Sequence, residues 1–301
     1  MILQLVDRIG GLKPWLNGRG LPLKNEISRQ GNSTYTCVRI TVYHSAQFMK
    51  FLLLGFLVII LISSPSFAQW LDFRTSGIPR TPDGKPNLTA PTPRMADGKP
   101  DLTGIWVADT SKYLGNLAAD SGPVPFQPWA EKVYEERRAN LGKDDPEARC
   151  MPQGVPKVNT LPYPFKIFQL PGETVILYEM FYLYRQIFTD GRQLPTEFVN
   201  PSWMGYSVGK WDGDDFVVET AGMNEQFWMD TNGHPHTDQL RVTERFKRKD
   251  FGHMEVEVTI DDPKAYTKPW MATIKQHLLP DTELLEFVCE KNLDPAHLVG
   301  K

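Results

Sequence analysis

The sequence predicts a mainly β fold: an antiparallel meander closed into a barrel or split into a sandwich, with one helix near residues 128–141. Three observations carry this. From Phe165 onward the apolar period is 2, seen most cleanly where Met254, Val256, Val258 and Ile260 alternate with Glu255, Glu257 and Thr259. Turn residues separate the alternating runs: Pro171-Gly172, Asp190-Gly191, Asp212-Gly213-Asp214, Asp250-Phe251-Gly252 and Pro280-Asp281. Pro (25) and Gly (23) are plentiful and 11% of residues are aromatic, while long Ala/Glu/Lys/Leu stretches are missing. With 301 residues, 41% of them hydrophobic, 23% charged and a net charge of −3, the chain is no collagen, coiled coil or fully disordered polymer.

The first strand is read at Leu102–Ala108. The helix follows, with Pro128 in its first turn, Trp129, Val133, Tyr134, Arg137 and Leu141 on one face, and Gly142 as the stop. Residues 143–164 are irregular, broken by Pro146, Pro152, Pro156, Pro162 and Pro164. Strands are then expected at Phe165–Leu170, Thr174–Met180, Tyr182–Phe188, Met204–Trp211, Phe216–Thr220, Leu240–Arg248, Met254–Ile260, Trp270–Leu278 and Leu284–Cys289. About ten strands with so few helices should curl into a barrel or split into two packed sheets.

Ahead of the strands lies an address. Met49-Lys50 is followed by the uncharged run Phe51–Ile62 and by Ser66 and Ala68 at the −3 and −1 positions of a cleavage site. The run is too short to span a bilayer comfortably, which takes about 20 residues. It reads as a secretory signal over residues 49–68, with an uncleaved anchor as the competing reading. Residues 1–48 then read as untranslated or disordered, the alternative being a cytoplasmic tail. Removing residues 1–68, with their seven basic and two acidic side chains, leaves 233 residues at −8, an acidic chain poorly suited to nucleic acid or an anionic membrane. No membrane span is expected in the mature chain.

Residues 69–100 form a Pro-rich extended arm holding two copies of one segment, Pro79–Thr89 and Pro93–Thr103, each built on Asp-Gly-Lys-Pro. The second copy feeds the first strand. A barrel domain over 101–292 and a tail over 293–301 complete the organisation. Cys37 falls in the discarded segment, which leaves Cys150 and Cys289 in an oxidising compartment, where they are expected to pair; two separate buried thiols are the alternative.

Gly104-Ile105-Trp106 resembles the opening signature of lipocalin-like barrels, in which a Trp packs across the closed end beneath the ligand cavity. The chain is also similar to a family of secreted bacterial proteins of uncharacterised activity. Its matching segments are Asp97–Trp106, Trp203–Thr220, Thr243–Phe246 and Thr259–Trp270. That resemblance implies the barrel and export, and no reaction.

No Gly-x-Gly-x-x-Gly, phosphate loop, His-Glu-x-x-His, Cys-x-x-Cys or Gly-x-Ser-x-Gly is present, which argues against nucleotide enzymes, helical zinc proteases and common serine esterases. The most chemical stretch is Asp230–Asp238, with His234 and His236 at i and i+2. It reads as a polar surface turn, as a catalytic or binding His236, or as a divalent-metal site. Glu244 alternates with Leu240, Val242 and Phe246 and so faces the dry side, either as a structural ion pair with Arg185 from a neighbouring strand or as a general acid/base. Asp190-Gly191-Arg192 is a hairpin turn, and Asp212–Asp215 is a turn with a weak calcium-loop look.

The catalytic candidates are therefore His236, Glu244 and Arg185. Among the abundant aromatics, Tyr184, Trp203 and Trp228, together with Met204, are the candidates to line a ligand pocket. Neither a metal nor a cofactor is expected. The leading expectation is an exported barrel that binds a small, partly apolar molecule in its mouth. The alternatives are a hydrolase, isomerase or dehydratase using a His/Glu acid–base pair, with a small-molecule substrate, and a structural envelope protein. Oligomeric state is left open. The exported protein should begin at Gln69, and N-terminal mass spectrometry checks this; a chain still carrying Met49–Ala68 contradicts it.

Overall fold

Alternation of apolar and polar side chains makes a sheet with one dry face. In the computed structural model, which describes residues 74–289, that sheet closes on itself. Nine strands form the barrel in sequence order: β1 (Gly104–Ala108), β2 (Phe165–Leu170), β3 (Glu173–Tyr178), β4 (Tyr184–Phe188), β5 (Tyr206–Asp212), β6 (Asp215–Ala221), β7 (Arg241–Arg248), β8 (His253–Asp261) and β9 (Trp270–Leu278). β1 pairs with both β2 and β9, which closes the cylinder. Two α-helices, α1 (Lys112–Gly115) and α2 (Pro128–Ala139), lie between β1 and β2. The expectations for residues 1–68 and 293–301 lie outside the described residues.

One pair departs from the expected antiparallel meander. β4 and β5 run parallel, and their ladder holds only Ile187↔Ser207 and Phe188↔Val208. A parallel neighbour cannot be reached by a hairpin, so the long segment Thr189–Gly205 carries the chain back to the starting end. Asp190-Gly191-Arg192 therefore opens this crossover and is no hairpin turn. The expected tenth strand, Leu284–Cys289, is not a strand: β1 already pairs with the outer edge of β9, and no edge is left for it.

The inner faces of the strands fill the barrel with side chains, among them Phe165, Ile176, Phe216, Phe246, Val258 and Ile274, all buried. At one end the Trp106 indole donates to Leu102 O (3.0 Å), and the Arg248 guanidinium sits 4.9 Å from its ring centre. Burial lowers Arg248 to about 10, still charged at neutral pH. Gly104 is required here: its φ is +144°, and a Cβ would lie 2.5 Å from Leu278 Cδ1.

The barrel mouth, expected to receive the ligand, is plugged. A 3-10 turn, Lys157–Asn159, is buried in the core, and Asn159 bonds to inward-facing Glu244 and Tyr178. The Lys157 ammonium, fully buried, is neutralised by Asp145 (2.5 Å) and Glu147 (2.9 Å). Such a charge is tolerated inside only with close counter-ions. The helix face also differs from expectation. Ala130 is its buried residue, whereas Trp129 and Leu141 are exposed, Leu141 having left the helix at φ 54°.

The repeated arm repeats in structure. Arg80 and Arg94 each bridge to the Pro of their own copy and donate to its Gly carbonyl. Each then forks onto an aspartate of the barrel domain, Arg80 onto Asp281 and Arg94 onto Asp214. Cys150 and Cys289 form a disulfide across 139 residues of sequence. It ties the 3-10 turn Pro146–Arg149 to the segment after β9, which is not the strand expected there. A closed loop of this length restricts the unfolded chain by about 5 kcal/mol. Cys150→Ala with Cys289→Ala should lower Tm by about 10 °C in calorimetry; an unchanged Tm contradicts this account.

Candidate functional site

The short β4–β5 ladder leaves the first half of β4 unpaired on its β5 side, and a cleft of about 400 Å³ opens at this seam. Its wall includes Tyr182, Tyr184, Arg185, Trp203, Met204 and Ser207. On one side Phe181 (φ 61°) and Tyr182 (φ 52°) are consecutive left-handed residues, a conformation bulky side chains rarely adopt. Tyr182 and Tyr184 are then 57% and 63% exposed, large apolar surfaces held in water. On the other side Gly205 (φ +63°) turns the chain into β5 where a Cβ would lie 2.6 Å from Ala221 O. At the rim Arg192 stacks on Phe188 (3.9 Å), donates to the Tyr206 hydroxyl (3.0 Å) and pairs with Asp190 (2.6 Å).

Behind this wall lies a polar network in the barrel interior. Arg185 donates through Nε to Ser207 Oγ (3.0 Å) and through Nη2 to Thr220 Oγ1 (2.6 Å) and to Glu244 Oε2. Asn159 Nδ2 donates to the other Glu244 oxygen (2.5 Å), and the Tyr178 hydroxyl donates to Asn159 Oδ1 (3.0 Å). Arg185 and Glu244 are both buried and form an ion pair. Burial works against the Arg185 charge, but Glu244 and Tyr178 together outweigh it and the guanidinium is held above its ordinary value. Burial pushes the Tyr178 phenol well above the usual tyrosine range. The Tyr178 hydroxyl also lies against the Arg185 guanidinium and helps hold its charge, while Nη1 is buried with no hydrogen bond of good geometry. The ion pair spans more than neighbouring strands, since β5 and β6 stand between β4 and β7.

Four of the residues singled out from sequence, Tyr184, Arg185, Trp203 and Met204, converge on the cleft. Trp228 does not. It is buried elsewhere, with the Arg137 guanidinium of α2 4.5 Å from its ring centre. His236 and Glu244 share no hydrogen bond. His236 stacks on Phe227 (4.2 Å), its Nε2 faces Phe227 O (3.0 Å), and burial lowers its pKa. The Asp230–Asp238 segment is largely buried rather than a polar surface turn. His234 is fixed by Asp230 (2.5 Å) within a shell of Tyr134, Phe126 and Trp270. Its ring and that of His236 thus serve separate partners. Among the described residues no group of three His, Cys, Asp or Glu side chains is placed to hold a metal. In the β5–β6 turn Asp212 and Asp215 pair with Arg245, and Asp214 with Arg94.

Of the network, sequence reasoning missed Tyr178, Ser207, Thr220 and Asn159, and Asn159 carried the least signal. It sits in an irregular Pro-rich run with no periodicity to assign it a face. Comparison with protein families, curated proteins and solved structures found no significant match.

Removing one partner of a buried pair strands the other charge, so Glu244→Ala should destabilise by about 3–5 kcal/mol in urea denaturation. Adding Arg185→Met to Glu244→Ala should recover part of that loss. A Glu244→Ala loss below about 1 kcal/mol contradicts the buried pair.

Proposed function

We propose that this protein is an exported β-barrel that binds a small, partly apolar molecule in the cleft at the β4–β5 seam. The observation that carries the reading is the meeting of exposed Tyr182 and Tyr184 with Trp203, Met204 and the buried Arg185 around one cleft. Ligand sites are commonly concave and mostly apolar with a few polar groups, and this cleft has that make-up. Export is supported by the signal-like segment 49–68, by the disulfide, and by the resemblance to a secreted bacterial family. No helix among the described residues is long and apolar enough to cross a membrane. The acid–base reading gains nothing from the geometry, because Glu244 has both oxygens occupied and His236 faces backbone carbonyls.

The test is a titration with N-phenyl-1-naphthylamine, a neutral dye that brightens in apolar sites. Saturable binding is expected, weakened about tenfold by Trp203→Ala, which removes about 1.4 kcal/mol of contact, and unchanged by exposed Leu141→Ala. Absence of saturable binding, or equal loss in both variants, overturns the assignment.

A further inference from the structure

The β3–β4 ladder fixes which way each peptide group of β4 points. In an antiparallel pair, alternate residues turn their N–H and C=O to the neighbour on one side, and the residues between them turn to the other. Tyr178 N donates to Leu183 O (2.8 Å) and Thr189 N to Gly172 O (2.8 Å), so the odd-numbered residues from Leu183 to Thr189 face β3. Tyr184, Gln186 and Phe188 therefore turn their peptide groups toward β5. The two parallel pairs, Ile187↔Ser207 and Phe188↔Val208, use the Gln186 C=O and both groups of Phe188. The Gln186 N–H and the Tyr184 N–H and C=O are left over, and both residues line the seam cleft.

Continued in register, the ladder would set Gly205 beside Arg185, its N–H on Tyr184 O and its C=O on the Gln186 N–H. The chain turns away instead. Gly205 takes φ +63° and packs against Ala221 O and Met223, and its C=O accepts from Ser202 Oγ (3.4 Å). Among the described residues no backbone hydrogen bond joins Trp203–Gly205 to β4. The cleft thus presents a strand edge one residue long. A C=O at Tyr184 and an N–H at Gln186 are spaced to hold one peptide residue by both of its backbone groups, as Ser207 is held one step further along.

Resting on the seam-cleft reading above, we propose that the ligand carries a peptide-type unit that lies parallel beside Arg185 as an added piece of strand. The N–H of that unit donates to Tyr184 O and its C=O accepts from the Gln186 N–H. Residues opposite one another in a sheet share a face, and Arg185 points into the filled barrel. A side chain on the unit would point there too, so glycine fits and a bulky residue does not. The groups on either side of the unit point outward, where exposed Tyr182 and Tyr184 and half-buried Trp203 offer flat apolar surfaces. The ligand class is a short peptide or acylated glycine with apolar groups flanking a small residue.

The test is calorimetric titration of the intact mature protein with 2-naphthoylglycine methylamide, with its ester analogue, in which oxygen replaces the central N–H, and with 2-naphthoyl-L-phenylalanine methylamide. The glycine amide should bind about tenfold more tightly than the ester, the size of one well-made hydrogen bond. It should also bind at least about tenfold more tightly than the phenylalanine compound. Gln186→Pro deletes the N–H on the seam side, where a strand tolerates proline, and should weaken the glycine amide about tenfold. If that variant does not fold, the three affinities of the unaltered protein decide alone. Equal binding of amide and ester, equal binding of the glycine and phenylalanine compounds, or an unchanged affinity in folded Gln186→Pro overturns the strand-edge assignment. So does binding of N-phenyl-1-naphthylamine without any of the three probes, and all of these leave the cleft itself standing. Failure of the dye and all three probes to bind overturns the cleft as well.

Discussion

Arg185 reaches from β4 to one side chain on each of the next three strands: Ser207 on β5, Thr220 on β6 and Glu244 on β7. This matters because β4 and β5 share only two ladder pairs, whereas β7 and β8 share eight. A closed barrel needs every seam held. Where backbone pairing is short, a charged strut inside the barrel takes its place. Glu244 passes the connection on to Asn159, and Asn159 to Tyr178 on β3, so the network returns to the near side of the seam through the plug. Its members are few, and most buried donors and acceptors among them are satisfied. A buried charge pair needs that to be tolerated at all.

The rest of the fold leaves the seam as the soft place. Trp106, Arg248 and Leu278 close one end. The two arm clips anchor the Pro-rich lead-in to Asp281 and Asp214, and the disulfide holds the segment that leads into the plug. A cleft therefore opens beside β4, where the ladder stops, and not in the barrel mouth, where Lys157–Asn159 occupies the space. Weak pairing and an open cleft have one cause here: the parallel return of the chain through Thr189–Gly205.

Much of this was legible in the sequence. The period-2 runs place β2 and β9 to the residue, and the ends of the others shift by at most two positions. Glu244 among Leu240, Val242 and Phe246 reads as a buried carboxylate because alternation assigns its face, and Arg185 alternating with Ile187 gains its place the same way. The parallel seam was hidden, since alternation is blind to strand direction. Its one trace was the length of Thr189–Gly205, too long for a hairpin. His234 and His236 misled for another reason. A loop rich in Asp, Asn, Gly and His looks solvated by composition, yet helix α2 and Trp270 cover it, and that cover comes from distant parts of the chain. Trp228 and Asn159 belong with them, each placed by tertiary contacts that no local pattern announces.

The seam beside Arg185 is the proposed ligand site, and side-chain NMR of ¹⁵N-arginine-labelled protein reports on it at the guanidinium itself. Adding N-phenyl-1-naphthylamine should shift the Arg185 guanidinium signals, assigned by Arg185→Lys, while those of Arg248 at the closed end stay in place. Unmoved Arg185 signals at saturating probe, or a shift confined to Arg248, would contradict the account.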